Sequence, residues 1–545
     1  MRRPLIYLAV AAVAGAVVTG VASSAGAPQS LRSQQAFAQH LQQIGLGRFM
    51  TAPAQAALAM AAAGNRQLGP KGQLNQNEEP QEHPGGTAKL SNTQGMNVTG
   101  SGLTNVRVND PSEDSHFIDQ TTQSETTIGA HGSNIVVGFN DSQNALLTLT
   151  AAADLTGYAY STNGGSTFTD AGVLPNAPAF NNLGDPWLGT DRSGNFYYSN
   201  LMLDGTTGNL DVGVAKSIDG GKTFSAPRVV SPSNDAFYFG DKDALAVGPD
   251  PTVKTRDDIY VAWDDQFADQ NFNFFTGLPV ARSTDGGATW HVTYADKVPA
   301  DTTGCSFTQY IGATPAVAPS GTLYVAAEKI SVDDPGCIGV APTFSEWIFG
   351  SANGGQSFNA HEIATVTETG DLNLGPGMVM RNLEFPSIAI GPTGTVYVAW
   401  NDGSSGNSNI RLGTSTNAGY SWSLSWATQG TADKVQPALS ADSKGLHLLY
   451  YQRNPDNTLD VLAGNSTNGG TSFTTTRVTS VAFPGVFTDP QFDPIIAFGY
   501  MGDYIANLTN GSTRYYAWGD NRDTVKNFLW PQGRHDPNVY FAQQP

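Results

Sequence analysis

Carboxylates recur where the strand-like runs of this 545-residue chain begin and end. The acids near the beginnings are Glu125, Asp185, Asp241, Asp243, Glu384 and Asp503, and those near the ends are Asp141, Asp264, Asp265, Glu328, Asp402 and Asp520. Carboxylates that lie close together raise one another's pKa or attract a cation. A pair made of one protonated and one ionised acid is what the hydrolysis of a glycosidic bond requires. The pattern therefore predicts a carboxylate site wherever the fold gathers these ends.

From this region of the sequence we choose candidates for two roles. The candidates for catalysis are Glu384, Asp503, Tyr504, Asp185 and Asp241. The candidates for substrate binding are Arg381, Arg522 and Glu125. The alternative is that the acids only hydrogen-bond the neighbouring backbone and form salt bridges within the fold. We expect no metal site and no other cofactor, although carboxylate oxygens of this kind would suit Ca²⁺.

A polar turn that ends in an aromatic residue occurs six times. The copies are STNGGSTF from Ser161, SIDGGKTF from Ser217, STDGGATW from Ser283, SANGGQSF from Ser351, STNAGYSW from Ser415 and STNGGTSF from Ser466. Their starts are 51 to 68 residues apart, a spacing typical of repeat architectures built from one supersecondary module. Within each turn we expect the Asp or Asn oxygen to accept backbone N–H groups, Gly to supply a positive φ and the aromatic ring to pack at a sheet interface.

The strand-like runs around these turns predict an all-β fold. Each turn follows a pair of runs, and a seventh pair, GDYIANLTNGSTRYYAWGDNR, stands near the C-terminus without a turn. With one strand ending at the turn and one after it, each unit is a four-stranded antiparallel sheet, and such sheets arranged radially form a β-propeller. We expect seven blades, the last completed by the segment Leu103–Val108, and a six-bladed ring is the alternative.

The turn pattern S-x-D-x-G-x-x-W resembles the Asp-box, or bacterial neuraminidase repeat, of sialidases and other secreted propeller proteins. The resemblance covers residues 101–545 and implies a propeller with the turns on one face and the acids around the opposite mouth. It also implies that Cys305 and Cys337 lie on the acid-bearing face. The function that it suggests is a secreted glycoside hydrolase acting on extracellular glycans or glycoconjugates.

The chain departs from sialidases where those enzymes carry an F/Y-R-I-P arginine motif. At the corresponding place it reads QSETTIG, with Glu125 and no arginine. If the protein is an enzyme, we therefore expect a glycoside hydrolase that resembles exo-α-sialidases but lacks their arginine motif. The alternatives are a non-catalytic propeller that binds extracellular glycan or protein, and a structural ring stabilised by Ca²⁺.

The first hundred residues lie outside the repeats. Residues 1–27 contain two arginines, an apolar run and a small-residue ending, which predict a secretory signal peptide. An uncleaved membrane anchor is the alternative interpretation. Residues 28–100 are interpreted as a spacer with a weak helical pattern, an Ala-rich stretch and a polar linker.

Charge and cysteine content narrow the expected partners. The formal net charge of −19 argues against nucleic acid, because a phosphate backbone needs a basic surface. In an exported chain the two cysteines are expected to form one disulfide. We expect a secreted monomer that is not stably inserted in a membrane once the signal peptide is removed.

Overall fold

The computed structural model describes most of the repeat region and parts of the N-terminal segment. The described residues are 35–36, 38–39, 41–42, 50–62, 102–112, 122–142, 154–232, 235–271, 273–300, 305–486, 501–526 and 531–545. The predicted signal peptide (1–27) and the predicted polar linker (64–100) fall outside them. No helix in the described part of the chain is long and apolar enough to cross a membrane.

Strands make up nearly all of the regular structure, so the predicted all-β class is confirmed. A single complete helix, α1 (Ala52–Ala62), stands among the described residues. The strands before residue 250 are β1 (Val106–Arg107), β2 (Gln123–His131), β3 (Asn134–Asp141), β4 (Thr156–Ser161), β5 (Thr169–Val173), β6 (Phe180–Asn182), β7 (Trp187–Thr190), β8 (Phe196–Asp204), β9 (Leu210–Ser217), β10 (Arg228–Val229) and β11 (Phe237–Pro249).

The remaining strands continue the same pattern to the C-terminus. Those before residue 430 are β12 (Asp257–Ala268), β13 (Phe274–Ser283), β14 (His291–Pro299), β15 (Phe307–Val317), β16 (Leu323–Val332), β17 (Thr343–Ser351), β18 (Asn359–Val366), β19 (Leu372–Asn373), β20 (Val379–Met380), β21 (Ser387–Ile390), β22 (Val396–Asp402), β23 (Asn409–Ser415) and β24 (Ser423–Trp426). The last are β25 (Lys434–Asp442), β26 (Gly445–Arg453), β27 (Leu459–Ser466), β28 (Thr474–Arg477), β29 (Ala506–Asn510), β30 (Thr513–Val525) and β31 (Arg534–Gln544).

The strands group into antiparallel units of four. Four units are separate sheets, in the orders β2-β3-β4-β5, β15-β16-β17-β18, β21-β22-β23-β24 and β25-β26-β27-β28. The units β7-β8-β9-β10 and β11-β12-β13-β14 are joined by a single parallel bridge between Phe239 and Leu210. The short strand β6 also pairs with β8, in antiparallel orientation. In the last unit, β29-β30-β31-β1, Val106 lies opposite Phe541, so the predicted pairing of the N-terminal strand with the C-terminal one is confirmed.

The sheets close on themselves. Their inner strands contact one another in the cyclic order β2, β7, β11, β15, β21, β25, β29 and back to β2. The closing interface buries apolar side chains of the first and last units together, among them Ile135, Val137, Val539 and Phe541. A ring of radially packed sheets is the architecture of a propeller, and it brings the ends of all inner strands to a common axis.

The six repeated turns share one hydrogen-bond scheme. In each, the Ser hydroxyl donates to the Asp or Asn side-chain oxygen two residues later. The fifth-position Gly N–H donates to the Ser hydroxyl, and the seventh-position N–H donates to the Asp or Asn oxygen. The fifth-position Gly has a positive φ, and a Cβ on Gly221 would lie 2.0 Å from Val136 of the preceding sheet. The turns therefore stabilise the scaffold, as predicted.

A disulfide ties the fourth unit together at one end. Cys305, just before β15, is bonded to Cys337, in the connection after β16. The predicted pairing of the two cysteines is confirmed. Because both flank the first two strands of one unit, the bond fixes the loop that joins β16 to β17.

Candidate active site at the mouth of the ring

The inner strands carry a recurrent irregularity at one end. Register shifts interrupt the pairing of β2, β11, β15 and β25 with their neighbours. The left-handed residues there are Glu125 (φ 53°), Lys242 (φ 46°) and Gln436 (φ 52°), and Asp185 (φ 53°) takes the same conformation just before β7. A non-glycine residue in this region costs on the order of 1 kcal/mol or more, and such strain concentrates at functional sites. Bulges also turn side chains toward a new direction.

Hydrogen bonds link these irregular positions from sheet to sheet. Asn140 Nδ2 donates to Glu125 Oε2 (2.9 Å), and the Asp185 N–H donates to Asn140 Oδ1 (2.9 Å). On the other side of Glu125, the Asp503 N–H donates to Glu125 Oε1 (3.2 Å). The ring therefore brings the predicted residues Glu125, Asp185 and Asp503 into one network.

Asp185 and Asp241 share a single donor. The Lys242 N–H donates to Asp241 Oδ1 (2.8 Å) and to Asp185 Oδ2 (3.2 Å). These two carboxylate oxygens therefore lie at most about 6 Å apart. Retaining glycosidases place their two carboxyl groups roughly 5–5.5 Å apart and inverting ones about 6.5–9.5 Å apart. The limit of about 6 Å lies below the inverting range.

Two cations lie among the acids. The Lys242 ammonium lies over the rings of Tyr504 (4.0 Å to the centroid) and Trp187 (4.6 Å). Arg381 Nη2 lies 3.2 Å from Asp503 Oδ2. Tyr504 in turn donates its hydroxyl to the Pro186 carbonyl (3.0 Å). The mouth is thus a mixed cluster of buried acids, two bases and aromatic rings, although the acids outnumber the bases.

Burial separates the proton affinities of these acids. Desolvation raises the pKa of Asp185 well above its usual range, and the nearby charge of Glu125 raises it further. Burial raises the pKa of Asp241 only to about 6, because hydrogen bonds from Thr51 and the Lys242 N–H and the charge of Arg381 favour its ionised form. Of the two acids, Asp241 is therefore the one whose ionised form the surroundings favour more.

The other acids of the cluster are also destabilised in their charged forms. Burial raises the pKa of Asp503 to about 7 against the opposing charge of Arg381, and that of Asp243 to about 8. It raises the pKa of Asp264 well above normal. A cluster of this kind holds few negative charges at neutral pH despite its many carboxyl groups.

The N-terminal segment covers the cluster. The Thr51 N–H donates to Asp241 Oδ2 (2.9 Å), the Thr51 hydroxyl donates to Asp241 Oδ1 (2.5 Å), and Arg381 Nη2 donates to the Met50 carbonyl (2.6 Å). Met50 and Thr51 are almost fully buried, and α1 packs against β11. Part of the predicted spacer is therefore folded onto the ring.

Below the cluster, the inner strands surround a central cavity of about 340 Å³. All seven inner strands contribute to its wall, which includes Trp187, Lys242, Gln436, Asp503, Tyr504 and Asn507. Of the acids in the cluster, Asp503 lines this cavity, whereas Asp185 and Asp241 are buried outside its wall.

Glu384 lies in a second acid group, between the fourth and fifth units. Its Oε1 accepts the Thr369 N–H (2.8 Å), the Thr369 hydroxyl (2.6 Å) and Asn401 Nδ2 (3.3 Å). Glu328 and Glu346 are directly opposite each other on β16 and β17. Burial raises the pKa of Glu384 to about 8 and those of Glu328 and Glu346 well above normal. The structure thus places Glu384 in a different group from the other four candidates for catalysis.

Arg522 lies in the last unit, on β30. Its guanidinium donates to both carboxylate oxygens of Asp520, at 2.9 and 2.5 Å, and lies over the ring of Tyr540. It also donates to Asn105 and Ser480. This arginine therefore joins the N-terminal strand to the last sheets, and its role in substrate binding stays a prediction.

The sequence did not predict the roles of two residues at the mouth, Lys242 and Thr51. Lys242 stands between two acids in GDKD, and that charge pattern was the available signal for it. Thr51 carried no signal, because only the folded chain brings it to Asp241. Among the described residues, no group of three or more His, Cys, Asp or Glu is arranged to hold a metal ion, and the suitability for Ca²⁺ stays a prediction.

Comparison with known proteins finds only distant structural likeness. No family model matches the sequence, and no curated protein matches it. The Hadza microbial sialidase Hz136 is similar over 66% of this chain and 66% of its own, just under two thirds of its length, with 14% identity and a TM-score of 0.38. The α-L-arabinofuranosidase of Fusarium graminearum, of family GH93, is similar over 65% of this chain and 94% of its own, with 14% identity and a TM-score of 0.42.

A polysaccharide lyase shows a likeness of the same order. The PL25 ulvan lyase is similar over 77% of this chain and 94% of its own, with 11% identity and a TM-score of 0.45. At such low identities and TM-scores, the chemistry of the chain has to be inferred from its own residues.

Proposed function

We propose that this protein is a retaining glycoside hydrolase of extracellular glycans, with Asp185 and Asp241 as its catalytic carboxyl groups. The observation that carries the proposal is the shared Lys242 N–H, which limits the separation of their oxygens to at most about 6 Å. The unequal effect of burial on the two acids supports it, because a protonated and an ionised carboxyl group are needed side by side.

The two acids take different roles in this reaction. Asp185, with its strongly raised pKa, donates a proton to the leaving glycosidic oxygen. Asp241, whose ionised form is favoured by the Lys242 N–H and the charge of Arg381, attacks the anomeric carbon and forms a glycosyl ester. Water then cleaves that ester while Asp185 removes the water proton, which restores both groups.

Neighbouring residues would bind the sugar. Arg381 and Asp241 already bind a carbonyl and a hydroxyl group, those of Met50 and Thr51, so a sugar can replace both contacts in kind. Trp187 lies in the wall of the cavity, where its ring contacts the Lys242 ammonium and packs beside Tyr504. Secretion is part of the proposal, based on the predicted signal peptide and supported by the disulfide.

The test compares sugar release by single variants on a panel of extracellular polysaccharides. We expect Asp185→Asn and Asp241→Asn each to lower turnover by about a thousandfold or more, because each removes a group that acts on the reacting atoms. Glu384→Gln, an equally buried acid of the second group, is the matched control and should retain turnover. Unchanged turnover in either mouth variant would reject the assignment.

A non-catalytic binding propeller is the second candidate. The observation that favours it is the occupied mouth, since both oxygens of Asp241 are bound to Thr51. Such a protein would bind a glycan or a protein segment at the mouth and release no sugar. Glycan-array binding that Asp241→Asn abolishes, without any reducing sugar from the wild-type chain, would establish this candidate over the first.

A further inference from the structure

The polar contacts of Met50 and Thr51 are those of a ligand. Thr51 donates two hydrogen bonds to one carboxylate, and Met50 accepts one from a guanidinium. Hydrogen bonds to charged groups are among the stronger ones in proteins. The contacts join residues 190 and 331 positions apart in the sequence, so they attach the N-terminal segment to two separate parts of the ring.

The helix that follows, α1, packs its apolar face against the ring near Asp241 and Arg381. Its buried residues Ala54, Ala57, Leu58 and Ala61 have the i, i+3, i+4, i+7 spacing of one helical face. They belong to the same buried apolar cluster as Phe239 of β11 and as Leu383 and Phe385, which precede β21. The side chains of Gln35 and Gln39 donate to the Ala62 carbonyl at the end of the helix (3.0 Å each).

The segment takes no part in the sheets of the ring. Across the described residues, none of the strand pairings of the sheets includes residues 50–62. An 11-residue, Ala-rich helix is marginal in water on its own, so α1 depends on the surface beneath it. The sequence between it and the first strand is polar and rich in Gln, Asn, Gly and Pro, as in a linker.

We propose that residues 50–62 are a tethered inhibitor that occupies the mouth and excludes the ligand of Asp241 and Arg381 until it is displaced. The consequence for turnover rests on the proposed glycosidase function, whereas the occupancy of the mouth can be measured without any activity. Asp241 is buried and both of its carboxylate oxygens accept hydrogen bonds from Thr51, so a sugar cannot approach that carboxylate while Thr51 is bound to it.

The experiment uses the full exported chain with a site-specific protease sequence inserted between residues 64 and 100. After cleavage, the N-terminal fragment should stay with the ring in gel filtration. Thr51→Val removes the hydroxyl donor while keeping the shape, and it should weaken retention by about tenfold or more. Thr104→Val, the same change at an exposed position just before β1, is the matched control and should leave the retention of the fragment unchanged.

Two readouts separate the inference from the function on which it builds. Hydrogen exchange of amides 54–62 should be faster in uncleaved Thr51→Val than in the wild type, and sugar release should rise when the fragment dissociates. Prompt dissociation of the wild-type fragment, or equal retention of both variants, would overturn the tethered inhibitor. Release of the fragment that depends on Thr51 but yields no sugar would support the occupied mouth and reject the glycosidase.

Discussion

Two groups of buried acids in this ring differ in whether a cation accompanies them. At the mouth, Lys242 and Arg381 stand among the carboxyl groups, and the pKa values of those groups are spread from about 6 for Asp241 to far above normal for Asp185. Between the fourth and fifth units, none of the ion pairs formed by described residues includes Glu328, Glu346 or Glu384. Nearby cations favour the ionised form of selected acids at the mouth, whereas burial favours the protonated form of the second group.

The largest effect is expected from removing the cation of the mouth. Lys242→Met takes away the positive charge that offsets Asp185, Asp243 and Asp503. We expect a loss of about 2–4 kcal/mol in the free energy of unfolding, because a desolvated cation–π contact is worth about 2 kcal/mol and the ammonium also lies over the rings of Trp187 and Tyr504. Urea unfolding at pH 7 measures it.

The control lies beside the second group. Lys329→Met removes a half-buried lysine that lies over Trp347, and it should cost about 1 kcal/mol or less. Equal losses in the two variants would show that the mouth acids do not depend on Lys242.

The second group, Glu328, Glu346 and Glu384, should make the free energy of unfolding depend on pH. Its acids have raised pKa values in the folded state, so the fold binds protons that the unfolded chain releases above its ordinary Glu pKa of 4.5. Their stabilising effect is complete below that pH, decreases as the pH rises and is lost once it passes the folded pKa of Glu384, about 8. Each such group contributes a slope of at most about 1.4 kcal/mol per pH unit in that window.

Glu346→Gln tests this slope, because it keeps the shape and removes one titrating group. The free energy of unfolding, measured at steps from pH 5 to pH 8, should fall less steeply in the variant than in the wild type. Thr104→Val changes an exposed residue, leaves the group intact and should keep the wild-type slope. A slope unchanged by Glu346→Gln would mean that this carboxyl group titrates normally.

The smallest effect concerns the backbone of the inner strands. Gly312 takes, in the fourth unit, the bulge position that Glu125 and Lys242 hold at the mouth. A Cβ there would lie 2.7 Å from the Phe385 ring, so Gly312→Ala should cost about 1–2 kcal/mol through strain and crowding. Gly132→Ala, at a positive φ with open space around it, controls for the strain alone and should cost less. Thermal unfolding of both variants gives the answer.

The main features of the scaffold could be predicted from local residue patterns in the sequence. The six turns, the pairing of β1 with β31 and the disulfide follow from residue types at fixed positions, and the structure confirms them. The same repeats placed acids at the starts of inner strands. They could not show which acids become neighbours, because that depends on which blades adjoin and where bulges turn the side chains.

The position of the N-terminal segment on the ring could not be predicted from the sequence, for a related reason. The helical pattern around Leu41 is weak, and α1 is rich in alanine, so neither carries a strong periodic signal. Its position is determined by a surface that forms only when the fold brings β11 next to the segment that carries Arg381. Lys242 likewise gains its role from Trp187 and Tyr504, which belong to other units.

The stereochemistry of the sugar released from a cleaved glycan tests the central claim most directly. Proton NMR during the first minutes of hydrolysis shows which anomer forms before mutarotation. Because the Asp185 and Asp241 oxygens are at most about 6 Å apart, we predict retention of the anomeric configuration, lost together with turnover in Asp241→Asn. A product of inverted configuration would contradict the assignment of these two carboxyl groups.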